Sequence, residues 1–185
     1  MNPEQFDISK LKKIGADVYI SSKVDIIRPH LISIGKHVAI DTGFYISTGA
    51  EIGDYIHIAP YVCIIGGKDG FLKMGHFTNI SAGGRIICGS DEFMGEGLVT
   101  APGLPEELRD NLIIKSVVFE NFSNIGANVT ILPGVVLAEG SVIGASSLVL
   151  KNTEPWTIYV GTPARPIKMR KKSKMIEFAK RLGYV

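Results

Sequence analysis

The chain has 185 residues, 45% of them hydrophobic, and 20 Lys and Arg against 18 Asp and Glu leave a formal net charge of +2. That length suits one repeat domain with a core large enough to fold without staples, and two cysteines, Cys63 and Cys88, read as free intracellular thiols rather than a disulfide framework. No apolar run reaches the length of a membrane span and Met1–Lys10 is too polar for a signal peptide, so a cytoplasmic protein with neither a membrane span nor a nucleic-acid partner is expected.

Residues 1–13 form a leading segment without a motif, with a helix expected over Gln5–Lys13. Residues 14–154 form the main domain, dominated by hexapeptides that each open on a bulky apolar residue. The openers fall into six sets of three: Ile14, Ile20, Ile26; Ile34, Ile40, Ile46; Ile52, Ile58, Ile64; Met74, Ile80, Ile86; Phe119, Ile125, Ile131; and Leu137, Ile143, Val149. The interval is six except at Ile26 to Ile34, Ile64 to Met74 and Ile86 to Phe119, which carry two, four and twenty-seven extra residues. Each slip follows a third hexapeptide. A six-residue sub-period marks a parallel β-helix in which each hexapeptide is one short strand and a turn. Three make a triangular coil, so about six coils are expected, with all inserted chain leaving from one corner.

Openers then point inward and stack coil on coil. A smaller residue four positions later, such as Val38, Ala50, Val62, Thr78 or Ser123, fits where the backbone turns. Residues flanking an opener face outward because side chains alternate across a strand. Counting in phase therefore brings His57, Asn79 and Asn124 of successive coils into one outward row, about 4.8 Å apart. The general crossover rule favours a right-handed coil.

The excursion at 92–118 is rich in Gly and Pro, with a helical turn expected at Pro105–Arg109, and a long loop in a compact repeat protein is usually functional or disordered. Its shared corner favours function. The tail, 155–185, crowds Arg165, Lys168, Arg170, Lys171, Lys172, Lys174, Lys180 and Arg181 together, which suits a phosphorylated ligand. Over 172–182, Met175, Phe178, Ala179 and Leu182 recur at helical spacing, and that helix is expected to pack on the prism or on a neighbouring chain.

The stretch Ile125-Gly126-Ala127-Asn128-Val129-Thr130-Ile131-Leu132-Pro133-Gly134-Val135, then Ile143-Gly144-Ala145-Ser146-Ser147 and Gly161-Thr162-Pro163-Ala164-Arg165, resembles the hexapeptide acyltransferases. It is most similar to the galactoside and maltose O-acetyltransferase branch and to the sugar O-acetyltransferases of bacterial surface polysaccharides. The resemblance covers about residues 34–170. It implies a left-handed parallel β-helix, a homotrimer with active sites between subunits, and acetyl-CoA as donor. Position by position it places acetyl-CoA contacts on Ala127 and Ala145, on Leu150 and Lys151, and on Arg165 and Lys168 near the nucleotide phosphates. Small residues permit close backbone approach, and fixed cations suit phosphate. Trp156 is expected either to flank the adenine or to cap the last coil.

The same resemblance brings the family's catalytic histidine onto Asp91, or onto Asp69 in an alignment one coil earlier, and neither is a histidine. Another base is therefore needed. His57 lies in the outward row with Asn79 and Asn124, and an imidazole suits proton transfer at neutral pH. The expectation is O-acetyl transfer to a sugar hydroxyl, with His57 as general base, Asp91 and Glu92 orienting the imidazole or the substrate, and Asn79 and Asn124 on the acceptor. An alternative is N-acetylation of an amino sugar carried on a nucleotide, since an amine needs less activation than a hydroxyl. A non-catalytic trimeric binding protein is the reading from another class. A metal site of three converging histidines is not expected, because no two of the four histidines are closely paired in sequence.

Overall fold

Each opener ends a strand of two to four residues, such as Ile32–Ile34, Val38–Ile40 or Gly49–Ile52, or sits one residue from its end, as Ile64 and Ile86 do, and turns its side chain into the prism. The computed structural model describes residues 5–184; residues 1–4, the start of the leading segment, and Val185 lie outside them. The first face stacks Lys13–Ile14, Ile32–Ile34, Gly49–Ile52, Phe71–Met74, Val117–Phe119 and Val136–Leu137 in that order. The second stacks Val18–Ile20, Val38–Ile40, Ile56–Ile58, Asn79–Ile80, Asn124–Ile125 and Val142–Ile143, and continues into Thr157–Val160, the start of a seventh turn. The third stacks Asp25–Ile26, Tyr45–Ile46, Cys63–Ile65, Arg85–Ile87, Thr130–Ile131 and Leu148–Val149. Sixteen of the eighteen openers are buried; Ile14 and Ile26, in the first coil, are only partly so.

The three insertions leave together from the corner between the third and first faces: the turn at Pro29–Leu31, the bulge around Gly66–Gly70, and the long excursion. The excursion opens as an antiparallel stem in which Gly89–Asp91 pairs with Leu112–Ile114, and its helical turn falls at Glu106–Leu108. The buried Asp110 ties it together by accepting from the Phe93 N–H at 2.7 Å and the Asn111 N–H at 2.9 Å.

The leading segment departs from the expected helix. Only Ile8–Lys10 makes a 3-10 turn, because the backbone on either side is committed to the open edge of the first coils. The Phe6 N–H donates to the Ile20 carbonyl and the Lys12 N–H to the Ile32 carbonyl, both at 3.0 Å. Those donors are then lost to a helical ladder.

The corner between the first and second faces carries an aromatic column that the six-residue count did not single out. His37, Tyr55, Phe77, Phe122 and Trp156 all sit in the left-handed region, with φ of 57, 58, 59, 63 and 51°. Successive rings lie 4.6, 5.1, 5.2 and 5.7 Å apart. Such a backbone costs about 1–3 kcal/mol per residue, and a ring pair returns about 0.5–1.5 kcal/mol beyond the area it buries. Corner hydrogen bonds supply the remainder, as where the Phe122 N–H donates to the His76 carbonyl at 2.9 Å. The column skips one coil at Gly140, where a Cβ would fall inside the Trp156 ring. Gly140→Ala is therefore expected to lose about 1–3 kcal/mol in thermal unfolding, with a shift in Trp156 fluorescence.

Helix α1, Ser173–Arg181, closes over this column. Ala179 is buried against Phe122 and Trp156, and the Tyr184 hydroxyl donates to Asp54 Oδ2 at 2.7 Å. The helix thus packs on the prism itself. No helix among the described residues is long and apolar enough to cross a membrane.

Candidate active site

The centre of the second face carries the expected row. Backbone register runs Ala39, His57, Asn79, Asn124, Val142 down five coils. His57 is 58% exposed, and its Nε2 lies 2.8 Å from Asp41 Oδ2. A carboxylate only accepts, so Nε2 carries a proton in this pair; in the neutral imidazole Nδ1 is then the acceptor, and among the described residues it has no hydrogen-bond partner. Asn79 Nδ2 donates to Ser81 Oγ at 3.1 Å and to the Ile125 carbonyl at 3.4 Å, while Asn124 Nδ2 donates to the Phe122 carbonyl. Both amides are thereby oriented, and among the described residues neither Oδ1 accepts a hydrogen bond. Each is free to receive a substrate N–H or O–H.

Asp91 lies elsewhere. It ends the stem strand at the insertion corner, which is the edge of the prism opposite the second face. Its Oδ1 accepts from Thr100 Oγ1 at 2.7 Å and from the Thr100 N–H at 3.1 Å, and these bonds, the hydroxyl's first, hold the carboxyl below the usual carboxylate range. Oδ2 is left open. Glu92 Oε2 accepts from Asn111 Nδ2 at 3.2 Å in the same stem. Within one chain, then, Asp91 and Glu92 do not orient the His57 imidazole. Asp41 does, because a residue following an opener in one coil reaches diagonally to the residue preceding an opener in the next.

Ala127 and Ala145 occupy the third slot of their hexapeptides, on the corner between the second and third faces. The slot above them holds Ala82. The Ser146 N–H donates to the Ala127 carbonyl at 2.8 Å, the Asn128 N–H to Ala82 at 2.9 Å, and the Gly83 N–H to Pro60 at 3.0 Å, so the slots stack directly. Three alanines thus form a smooth track that ends on Pro60 and Tyr61. Among the described residues neither the Ala127 nor the Ala145 N–H has a partner. Ala82 was legible from its slot, since it repeats the two alanines below it, and it stands next to Ser81 on the second face.

Below the third face, Leu150, Lys151 and Arg165 line a cleft of about 210 Å³ with Tyr159 and Pro163. Lys168 is exposed on the neighbouring strand Arg165–Met169, opposite Ile158, and does not line the cleft. Trp156 is 5% exposed, and its Nε1–H donates to Glu139 at 3.1 Å. It caps the aromatic column and presents no face to an adenine. Cys88 is fully buried, and burial pushes its thiol up to about 11, which rules it out as a nucleophile at neutral pH. Among the described residues no group of three or more His, Cys, Asp or Glu is placed to hold a metal ion. Free amides and small side chains along the track, with cations at its lower end, fit the pantetheine arm and phosphates of an acyl-CoA.

No protein-family model matches the chain. It is 38% identical over 170 residues, 90% of its length and 85% of the relative's, to a dTDP-4-amino-4,6-dideoxy-D-glucose acyltransferase of Escherichia coli. It also matches AntD, an N-acyltransferase from Bacillus cereus, with a TM-score of 0.89 and 34% identity over 98% of this chain and 97% of that one. AntD has been solved with coenzyme A and dTDP-4-amino-4,6-dideoxyglucose, and with dTDP and 3-hydroxybutyryl-CoA. Its solved variants alter a serine and an aspartate ten residues further on. Galactoside acetyltransferase in complex with coenzyme A matches with a TM-score of 0.57 and 21% identity over 89% of this chain and 68% of that one, and it shares the fold alone. That fold is the left-handed parallel β-helix; the general crossover preference comes from twisted strands feeding helices, and strands of two to four residues joined by tight corners escape it. With likeness this close over nearly the whole length, the chain belongs to the hexapeptide-repeat acyltransferases and uses an acyl-CoA as donor.

Proposed function

We propose that this enzyme transfers an acyl group from acyl-CoA to the amine of a dTDP-linked 4-amino-4,6-dideoxy sugar. The observation that carries this reading is a spacing. AntD varies a serine and an aspartate ten residues apart, and this chain holds Ser81 and Asp91 at the same interval. Ser81 stands beside the alanine track and is bonded to Asn79 of the acceptor row. Asp91 offers an open carboxylate oxygen.

The two are on opposite sides of one prism, so the reading places the site between copies of the chain in a homotrimer, with the insertion corner of one against the second face of the next. The exposed Phe93, Met94, Leu98 and Val99 of the excursion are the apolar surface such a contact would cover. The donor supplies an electrophilic thioester carbonyl. The amine nitrogen forms the new C–N bond there as the C–S bond breaks and coenzyme A leaves. Nitrogen becomes strongly acidic as that bond forms, so a carboxylate that is ionised throughout the neutral range can take its proton. Asp91 of a neighbouring copy fills that role, Ser81 hydrogen-bonds at the reacting carbonyl, and His57, Asn79 and Asn124 hold the sugar.

A second reading, O-acylation of a sugar hydroxyl, is favoured by the His57–Asp41 pair, whose fixed tautomer leaves Nδ1 as a ready base. His57→Ala separates the two. With a dTDP-amino sugar its kcat is expected to stay within a few fold of wild type while the KM for the sugar rises; a kcat loss of about 10²-fold or more, together with turnover of hydroxyl acceptors, establishes His57 as the base and the hydroxyl as acceptor.

A further inference from the structure

The alanine track stops abruptly. One coil above Ala82 the same slot holds Pro60, and the next residue is Tyr61, 71% exposed and in the left-handed region at a φ of 60°. The corresponding positions of the other coils on this corner are Lys23, Gly43, Gly83, Asn128 and Ser146, all small or polar. Tyrosine is a costly choice for that backbone, where glycine or asparagine is at ease. On the aromatic corner each such ring stacks on at least one neighbouring ring of the column. Tyr61 has no ring partner among the described residues. It leans away from the track instead, lying over Gly43, whose missing Cβ makes room for it.

We propose that Tyr61 is the end wall of the acyl pocket and sets which acyl-CoA this enzyme accepts. The inference rests on the pantetheine arm following Ala145, Ala127 and Ala82, as in the reading above. On that path the thioester comes to Ser81 and Ala82, and an acyl group continuing in line passes over Pro60 one strand spacing on, about 4.8 Å away, and is stopped by the Tyr61 ring, which lies beyond it over Gly43. That gap admits a short acyl chain and stops a long one. The Tyr61 ring gives apolar contact to the chain's methylenes, and its phenol offers a hydrogen bond to a hydroxylated acyl group. The exposure of the ring follows, because its partner is the substrate.

The test is a Tyr61→Ala variant, with Tyr61→Asn beside it because asparagine suits the left-handed backbone. Calorimetric dissociation constants are measured for acetyl-, butyryl- and hexanoyl-CoA without any acceptor, followed by kcat/KM for the same donors with the dTDP-amino sugar. Wild type is expected to disfavour hexanoyl-CoA, and both variants to shift the hexanoyl-to-acetyl ratio by about tenfold or more towards the longer chain, the scale that one or two methylenes command in a shaped pocket. A ratio that moves less than twofold in either variant overturns the wall. Binding of all three donors with no turnover of the amino sugar in wild type instead overturns the acceptor reading and leaves the binding ratios to decide Tyr61 alone.

Discussion

Asp91→Asn is expected to lower kcat with a dTDP-amino sugar by about 10²–10⁴-fold while the KM for acyl-CoA stays near that of wild type, as measured by release of free coenzyme A. The substitution is informative because asparagine keeps an oxygen for the Thr100 N–H and hydroxyl, so the stem of the excursion is retained. What it removes is the charge and the capacity to take a proton at Oδ2. Because the Thr100 bonds hold this carboxyl below the ordinary range, Asp91 stays ionised well into mild acid, and the fall of activity on the acid side is expected to follow protonation of the substrate amine instead. A change of less than tenfold sinks the assignment. The placement between copies has its own test. Asp91→Asn chains mixed with chains whose track is blocked by Ala82→Trp are expected to recover about a quarter of wild-type activity, the share of intact sites in randomly mixed closed rings. No recovery on mixing means that Asp91 and the track act within one chain.

The largest stability effect is expected at Ile58, which is fully buried between Ile40 and Ile80 of the adjoining coils. Ile58→Ala should cost about 2–5 kcal/mol, the transfer and cavity terms together, because rungs above and below are held by backbone pairing and cannot close the gap. For a chain of this size that lowers the melting temperature by about 4–20 °C. Ile26→Ala, on the partly exposed first coil, is expected to cost less than half as much, since part of its side chain already meets water. Equal losses at the two positions would contradict a stability built from coil and neighbour terms.

Much of the site was legible before the fold was known. The phase of the openers placed His57, Asn79 and Asn124 in one row, and backbone pairing confirms that register. The slots of Ala127 and Ala145 also point to Ala82, which repeats them one coil higher. Two relations were not legible. The partner of His57 is Asp41, sixteen residues back and on the other side of an opener, and a diagonal contact of that kind has no fixed interval in the repeat. Asp91 was counted to the right corner, yet its distance from the second face depends on the triangle closing, which no single coil records. The aromatic column has no signature in a single hexapeptide, because its residues are bulky at a position where turns ordinarily favour glycine, and only stacking across coils makes them acceptable.

By itself the sequence determined the prism, its number of coils, the corner from which the excursions leave and the residues that share an outer row. These follow from a period of six and from strand alternation, both of which are local. Only the tertiary structure decided that Asp41 holds His57, that the tail helix seals the aromatic column, and that the second face and the insertion corner look in opposite directions. Those outcomes depend on which side chains meet across coils and faces, where contact is set by reach and burial and leaves no period to count.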